Sequence, residues 1–147
     1  MIRGGLVGRH DVALVVTQPD KPAGRGGRMQ PPPVKVAAEA LGIEVFQPET
    51  LRDAAVQDRL RAADADVFVV AAYGKILPQA VLDIPRRGCL NVHASLLPKW
   101  RGPSPIVASI LAGGPETGVS IMELVRKMDA GPVISRVTAP VLPDDSA

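Results

Sequence analysis

Two side chains of this sequence pose a chemical question. Asn91 and His93 stand two apart at the end of a segment, Gly88 to His93, whose Cys89, Leu90 and Val92 mark it as a strand. Side chains on a strand alternate between its faces, so the amide and the imidazole point the same way while Leu90 and Val92 turn into a packed layer. Two polar groups placed like this are costly to bury without partners. One explanation is chemical. The amide N–H of Asn91 is a donor for a developing oxyanion, and the imidazole of His93 can move protons near neutral pH, a pairing that suits transfer of an acyl group. The other is structural: both side chains are satisfied by local backbone, as buried polar groups commonly are. Cys89 shares their face. No general base is assigned to it, so it reads as a small buried residue and not as a nucleophile.

The elements that must carry these residues can be traced along the chain. Val12 to Val16 is an apolar, β-branched run that predicts a fully buried strand, ended by the turn signal Thr17-Gln18-Pro19-Asp20. Lys21 to Pro33, with Gly24, Gly26, Gly27 and three consecutive prolines, reads as a loop. Val34 to Leu41 has helical spacing and stops at Gly42. Glu44 to Phe46 is a short strand, and Asp53 to Ala63 places Ala55, Val56, Leu60 and Ala63 on one helical face. Asp66 to Ala72 contains the buried-strand run Val67-Phe68-Val69-Val70, broken by Tyr73-Gly74. Pro105 to Ala112 predicts a short helix, and Val119 to Leu124 and Val133 to Val141 later strands. Strands alternating with helices imply an α/β domain with a parallel sheet. Ligand sites in such sheets form at the carboxyl ends of the strands, which directs attention to the residues after Val16, Ala72 and Val92.

Composition narrows the function. The 147 residues suffice for one domain with a real core, and with aromatics at only 3% that core rests on Val, Leu, Ile and Ala. A net charge of +2 is too small to imply a polyanion-wrapping protein by itself, yet Lys21, Arg25, Arg28 and Lys35 crowd one stretch against Asp20 alone. A single cysteine excludes an internal disulfide framework and a cysteine-based zinc cluster, and two histidines, His10 and His93, make a His-rich metal site improbable. No apolar run reaches the roughly 20 residues that cross a bilayer, and no signal-peptide pattern is present, so a cytoplasmic protein is the expectation. Gly24-Arg25-Gly26-Gly27 is not a dinucleotide loop, because it lacks the third glycine of that fingerprint and runs into prolines instead of an opening helix.

The segments around the strand sharpen the chemical reading. Asn91-Val92-His93-Ala94-Ser95-Leu96-Leu97-Pro98 and Asp129-Ala130-Gly131 together resemble the formyltransferases that use 10-formyltetrahydrofolate. The resemblance covers the chain from about Asp11 to its end. Four further stretches resemble the branch of that family acting on methionyl initiator tRNA: Thr17 to Gly26, Pro33-Val34-Lys35, Ala72 to Pro78, and Trp100 to Ile106. The resemblance implies a Rossmann-like α/β fold with a mostly parallel sheet and flanking helices. It implies 10-formyltetrahydrofolate as formyl donor, initiator methionyl-tRNA as partner, a monomer, and no metal. Asn91 would stabilise the oxyanion and His93 would shuttle protons. Asp129 would orient and charge-stabilise His93, or hold a catalytic water. Ser95, Leu96, Leu97 and Pro98 match the family segment that contacts the folate, and Ile76, Leu77 and Pro78 would line its apolar pocket. Lys21, Arg25 and Arg28 would meet the tRNA acceptor stem through phosphate contacts; a solvated basic loop is the alternative. Trp100 either packs beneath the Ser95–Pro98 loop or stacks on a base.

The chain departs from that pattern in two ways. Family members open with a strand and a Gly-Thr-Pro loop, whereas Met1 to Gly8 contains neither, so the fold is expected to lack its first strand. The C-terminal tRNA-binding β-barrel is also expected to be absent, which makes residues 1–147 a catalytic domain truncated at both ends. The rival expectations are an inactive fragment of the same enzyme, a related small-molecule formyltransferase, or a formyltetrahydrofolate hydrolase.

Overall fold

A computed structural model describes residues 9–23, 27–102 and 104–146. The chain divides between Ala65 and Asp66 into two compact units. The segment Met1 to Gly8, expected to lack a strand, lies outside the described residues, as does Arg25.

In the first unit, β1 (Val15–Val16) runs parallel to β4 (Val45–Phe46). The expected strand from Val12 is cut to two residues. Val15 and Val16 are half-buried where full burial was expected, for among the described residues β1 has a neighbour on one side only. The Lys21 to Pro33 segment, read as a loop, instead forms a short antiparallel ribbon, β2 (Lys21–Ala23) and β3 (Arg28–Gln30). Helix α1 (Pro33–Glu39) begins on a proline that needs no amide partner, and Gly42 turns the chain at φ +68° just beyond its end. Helix α2 (Ala54–Ala62) buries Leu60, while Ala55, placed on its apolar face, is exposed.

In the second unit β5 (Phe68–Val70), β6 (Cys89–His93), β7 (Glu116–Glu123) and β8 (Val133–Pro140) form one sheet in that order. The helical turn α3 (Gln79–Leu82) joins β5 to β6, and α4 (Pro105–Leu111) precedes β7. The α/β class holds, with β5 parallel to β6, but the sheet is mixed: β7 pairs antiparallel with both β6 and β8. The short stretch between Glu123 and Val133 accounts for the β7–β8 pairing, since it can close a hairpin but not a crossover back to a parallel neighbour. Among the described residues strand β5 pairs only with β6 and leaves Val69 exposed, where its apolar run predicts a buried strand.

Strand β6 is interior, and its two faces differ. Asn91 pairs with Met122 and His93 with Ser120, so these four share a face with Cys89. Met122 and Ser120 are wholly buried and Cys89 nearly so, whereas Leu90 and Val92 on the other face are half-buried. The layer expected beneath Leu90 and Val92 is thus the less enclosed of the two. The polar pair stands on the better-packed face, where its chemistry is held most firmly.

Candidate active site

The β6 strand delivers Asn91 and His93, and the β7–β8 connection delivers Asp129. The carboxylate Oδ1 of Asp129 lies 3.8 Å from His93 Nδ1, and both side chains are about nine-tenths buried. That separation is longer than a direct hydrogen bond and close enough for an ion pair when the ring carries a second proton. The other ring nitrogen, Nε2, is 3.1 Å from the backbone carbonyl of Trp100. The second carboxylate oxygen, Oδ2, accepts a 3.0 Å hydrogen bond from the Gly102 amide. Asn91 is half-buried, and its amide makes no hydrogen bond among the described residues. The structural explanation therefore fits part of His93, which has a backbone partner, and does not fit Asn91.

The loop geometry explains why Asp129 can reach. Gly131 passes so close to β7 that an added Cβ would stand 1.9 Å from the Glu123 carbonyl, and Glu123 N–H donates to Pro132 O at 3.0 Å. This contact closes the connection and leaves Asp129 at its bend, with φ +47°, a left-handed conformation that Asp tolerates better than most residues.

The Ser95–Pro98 segment follows β6 and is stitched in place by buried polar groups. Ser120 Oγ donates to Ser95 O at 2.6 Å and accepts from Leu97 N at 3.0 Å. Ser95 Oγ donates to Lys99 O at 2.8 Å, and Arg136 Nε to Leu97 O at 3.1 Å. Ser95 and Leu97 are thus enclosed and shape the loop, leaving Leu96 and Pro98 at its more accessible positions. Ile76 is 79% exposed, with Leu77 and Pro78 half-buried behind it. Trp100 keeps its side chain partly exposed and enters the site through its carbonyl, at φ +59°. Neither side-chain expectation for Trp100 anticipated that. Sequence reasoning also missed Ser120, although a serine between Val119 and Ile121 was a readable signal for a polar residue on the packed face.

In the first unit, Lys21 and Arg28 are exposed on the β2–β3 ribbon. Lys21 pairs with Gln30 and Ala23 with Arg28, so both basic residues occupy one face of the ribbon. Its root is held by a cluster that the sequence did not announce. Lys35 Nζ contacts both Asp20 oxygens, at 3.0 and 2.9 Å, and Gln47 Nε2 donates to Asp20 Oδ1 at 2.7 Å and Gln18 O at 2.9 Å. The Gln47 bond, followed by Lys35, holds the Asp20 carboxyl below its usual range.

Cys89 donates weakly to Leu82 O, and burial, with Asp83 nearby, pushes its thiol up to about 11. It is no nucleophile at neutral pH. A cleft of about 400 Å³ bounded by Leu82, Asp83, Cys89 and Arg126 opens at the amino end of β6, away from His93. Among the described residues no group of three or more His, Cys, Asp and Glu side chains is arranged to hold a metal, and no helix is long and apolar enough to cross a membrane.

The Rossmann-like α/β fold that brings Asn91, His93 and Asp129 to one interior strand is shared, as a fold, by solved structures. The chain superposes on phosphoribosylglycinamide formyltransferase from Streptococcus pneumoniae with a TM-score of 0.75 at 26% identity, covering 93% of this chain and 74% of that one. Glycinamide ribonucleotide transformylase 1 from Symbiobacterium toebii gives 0.73 at 22% identity, covering 93% and 63%. The Formyl transferase family model matches residues 5–147, and the chain belongs to that family. Among curated relatives, methionyl-tRNA formyltransferase of Methylobacillus flagellatus is 55% identical over 146 residues, 99% of this chain and 47% of that protein. The same-named protein of Novosphingobium aromaticivorans is 58% identical over 132 residues, 90% and 44%. The chain thus spans about half the length of the curated relatives it matches.

Proposed function

We propose that this chain carries the catalytic site of a methionyl-tRNA formyltransferase, which moves the formyl group of 10-formyltetrahydrofolate to the α-amine of methionine on initiator tRNA. The observation that carries the reading is the approach of the Asp129 carboxylate to His93, 3.8 Å apart across the packed face that also bears Asn91. Identity of 53–58% to relatives named for that activity supports the choice of substrate over the small-molecule formyltransferases, whose solved structures resemble this chain at 18–26%.

The chemistry follows from the residues. The substrate amine attacks the formyl carbon, and the carbonyl oxygen becomes an oxyanion. The Asn91 amide, uncommitted elsewhere, donates to it. His93 takes the proton that the amine sheds and returns one to N10 of the folate as the C–N10 bond breaks. Asp129 stabilises the imidazolium in between. Products are the formamide and tetrahydrofolate, with atoms and protons balanced. Leu96, Pro98 and the exposed Ile76 offer apolar surface suited to a pterin ring, while Ser95 and Leu97 hold the loop beneath it. Lys21, Arg25 and Arg28 contact tRNA phosphates. The enzyme works in the cytoplasm.

Formyl transfer from 10-formyltetrahydrofolate to charged initiator tRNA, glycinamide ribonucleotide and water, measured side by side in a protein of the relatives' full length carrying these residues, tests the reading. Methionyl-tRNA should be the preferred acceptor. Preference for the ribonucleotide, or release of formate, would assign the site to a different member of the family.

A further inference from the structure

Between β6 and α4 the chain makes a tight reversal whose backbone touches both ionisable members of the site. The Trp100 carbonyl meets His93 Nε2 at 3.1 Å, and two residues on, the Gly102 N–H meets Asp129 Oδ2 at 3.0 Å. We infer that the Trp100–Gly102 turn is a clamp that sets the neutral His93 ring as its Nε2–H tautomer, leaving Nδ1, beside Asp129, as the nitrogen that takes up a proton. The inference rests on the formyl-transfer reading for its consequence, though not for its geometry.

The tautomer follows from the partner. A carbonyl oxygen only accepts, so the ring nitrogen facing Trp100 must carry the hydrogen. A neutral imidazole holding its hydrogen on Nε2 has one basic nitrogen left, and that nitrogen faces Asp129 Oδ1 at 3.8 Å. The Gly102 amide fixes the carboxylate from its far side, through Oδ2, so that Oδ1 stays turned toward the ring. One backbone turn thereby orients the two partners relative to each other.

The turn is built for this and is held for it. Trp100 stands at φ +59° and Gly102 at φ +108°. The second value lies beyond the left-handed well that Asn and Asp visit, so the position requires glycine. These two conformations reverse the chain quickly enough for a carbonyl and an amide two residues apart to face one site. The turn is also anchored upstream, where Ser95 Oγ holds the Lys99 carbonyl at 2.8 Å and Lys99 N–H bonds Leu96 O at 3.1 Å. Gly102 is thus a positioning residue: it acts on the reaction through His93 and Asp129 and touches no substrate. During transfer the proton leaving the amine settles on Nδ1 against the Asp129 carboxylate, and leaves from there for N10.

The test is nitrogen NMR of the 147-residue chain labelled in histidine. Only two histidines contribute, and His10 is exposed while His93 is buried. The clamp predicts one His93 tautomer at alkaline pH, with a directly observed, slowly exchanging Nε2 proton. A His93 ring protonated at Nδ1, or an Nε2 proton exchanging as fast as that of His10, overturns it. In Gly102→Ala, checked for folding by thermal melting, the Nε2 proton should lose its protection; unchanged protection in a folded variant also overturns the inference. Should that variant not fold, Asp129→Ala serves instead: the Gly102 amide proton must shift, and an unmoved signal counts against the clamp. A protected Nε2 proton and a responsive Gly102 amide, with no formyl transfer by a protein of the relatives' full length carrying these residues, would uphold the clamp and sink the formyl-transfer reading.

Discussion

The face of β6 and the β2–β3 ribbon carry the two kinds of chemistry this chain offers, and they are built in opposite ways. Around β6 the segments that carry the functional groups are fixed by close contacts. Ser120 ties down the loop after the strand, Gly131 closes the connection that bears Asp129, and Gly102 holds the carboxylate. The ribbon instead exposes Lys21 and Arg28 and is secured at its root by Asp20, Lys35 and Gln47. A reacting group must be held to within a fraction of an ångström, which demands enclosure. A phosphate contact tolerates freedom, because its attraction is long-ranged and weakly directional. Mutations should therefore strike the two regions through different observables.

The largest effect is expected at Asn91. In a full-length enzyme carrying these residues, Asn91→Ala should lower kcat by about 100- to 1,000-fold, the usual cost of one oxyanion donor, with KM nearly unchanged. Steady-state kinetics with a change confined to KM would remove the distinction between a reacting face and a binding face. Next comes Gly118→Ala, where an added Cβ would stand 2.1 Å from the Val137 carbonyl and 2.7 Å from Leu96 Cδ2. Overpacking of this kind should cost about 1–3 kcal/mol in urea unfolding, and an unchanged midpoint would show the β7–β8 layer to be softer than the contacts imply.

Effects at the ribbon should be smaller and should depend on salt. Arg25→Ala with Arg28→Ala should weaken tRNA binding and lower its salt slope by about one unit or slightly less for each lost phosphate contact, with folate affinity unaltered. Binding titrations at several salt concentrations decide this, and loss of folate binding would assign the ribbon to the other substrate. The smallest expected effect concerns Asp20. Its carboxyl is held below the ordinary value near 3.8, chiefly by Gln47 and then Lys35. A depressed acid stabilises the fold above its unfolded pKa and ceases to do so as pH falls through the folded one. Asp20→Asn should therefore flatten the loss of stability as pH falls below about 4, seen in unfolding curves across the acid range.

How much of this was legible in the sequence depended on whether side chains or backbone did the work. The face shared by Asn91 and His93 followed from strand alternation, and α1, α2, α4, β7 and β8 followed from apolar spacing bounded by Gly and Pro. The ribbon was not legible, because Lys21-Pro22-Ala23 and Arg28-Met29-Gln30 show no alternation of apolar and polar residues and a Pro argues against a strand. The shortness of β1 and the exposure of β5 depend on which neighbours each strand finds, which a local pattern does not encode. The two groups nearest His93 and Asp129, the Trp100 carbonyl and the Gly102 amide, belong to the backbone that every residue shares. Only the glycine at φ +108° left a trace of them in the sequence.

Because Asp129 hangs from the hairpin that follows β7, the alignment of β7 against β6 is also the ruler of the site. A slip of one residue would turn Ser120 and Met122 out of the packed face altogether. A slip of two would keep the facing yet displace the hairpin by about 7 Å along the strand, at roughly 3.4 Å per residue, nearly twice the 3.8 Å that separates Asp129 from His93. The pin against such a slip is a single hydroxyl. Ser120 faces His93 across the ladder while its Oγ bonds Leu97 N and Ser95 O, so β7 is indexed to the loop leaving β6 as well as to β6 itself.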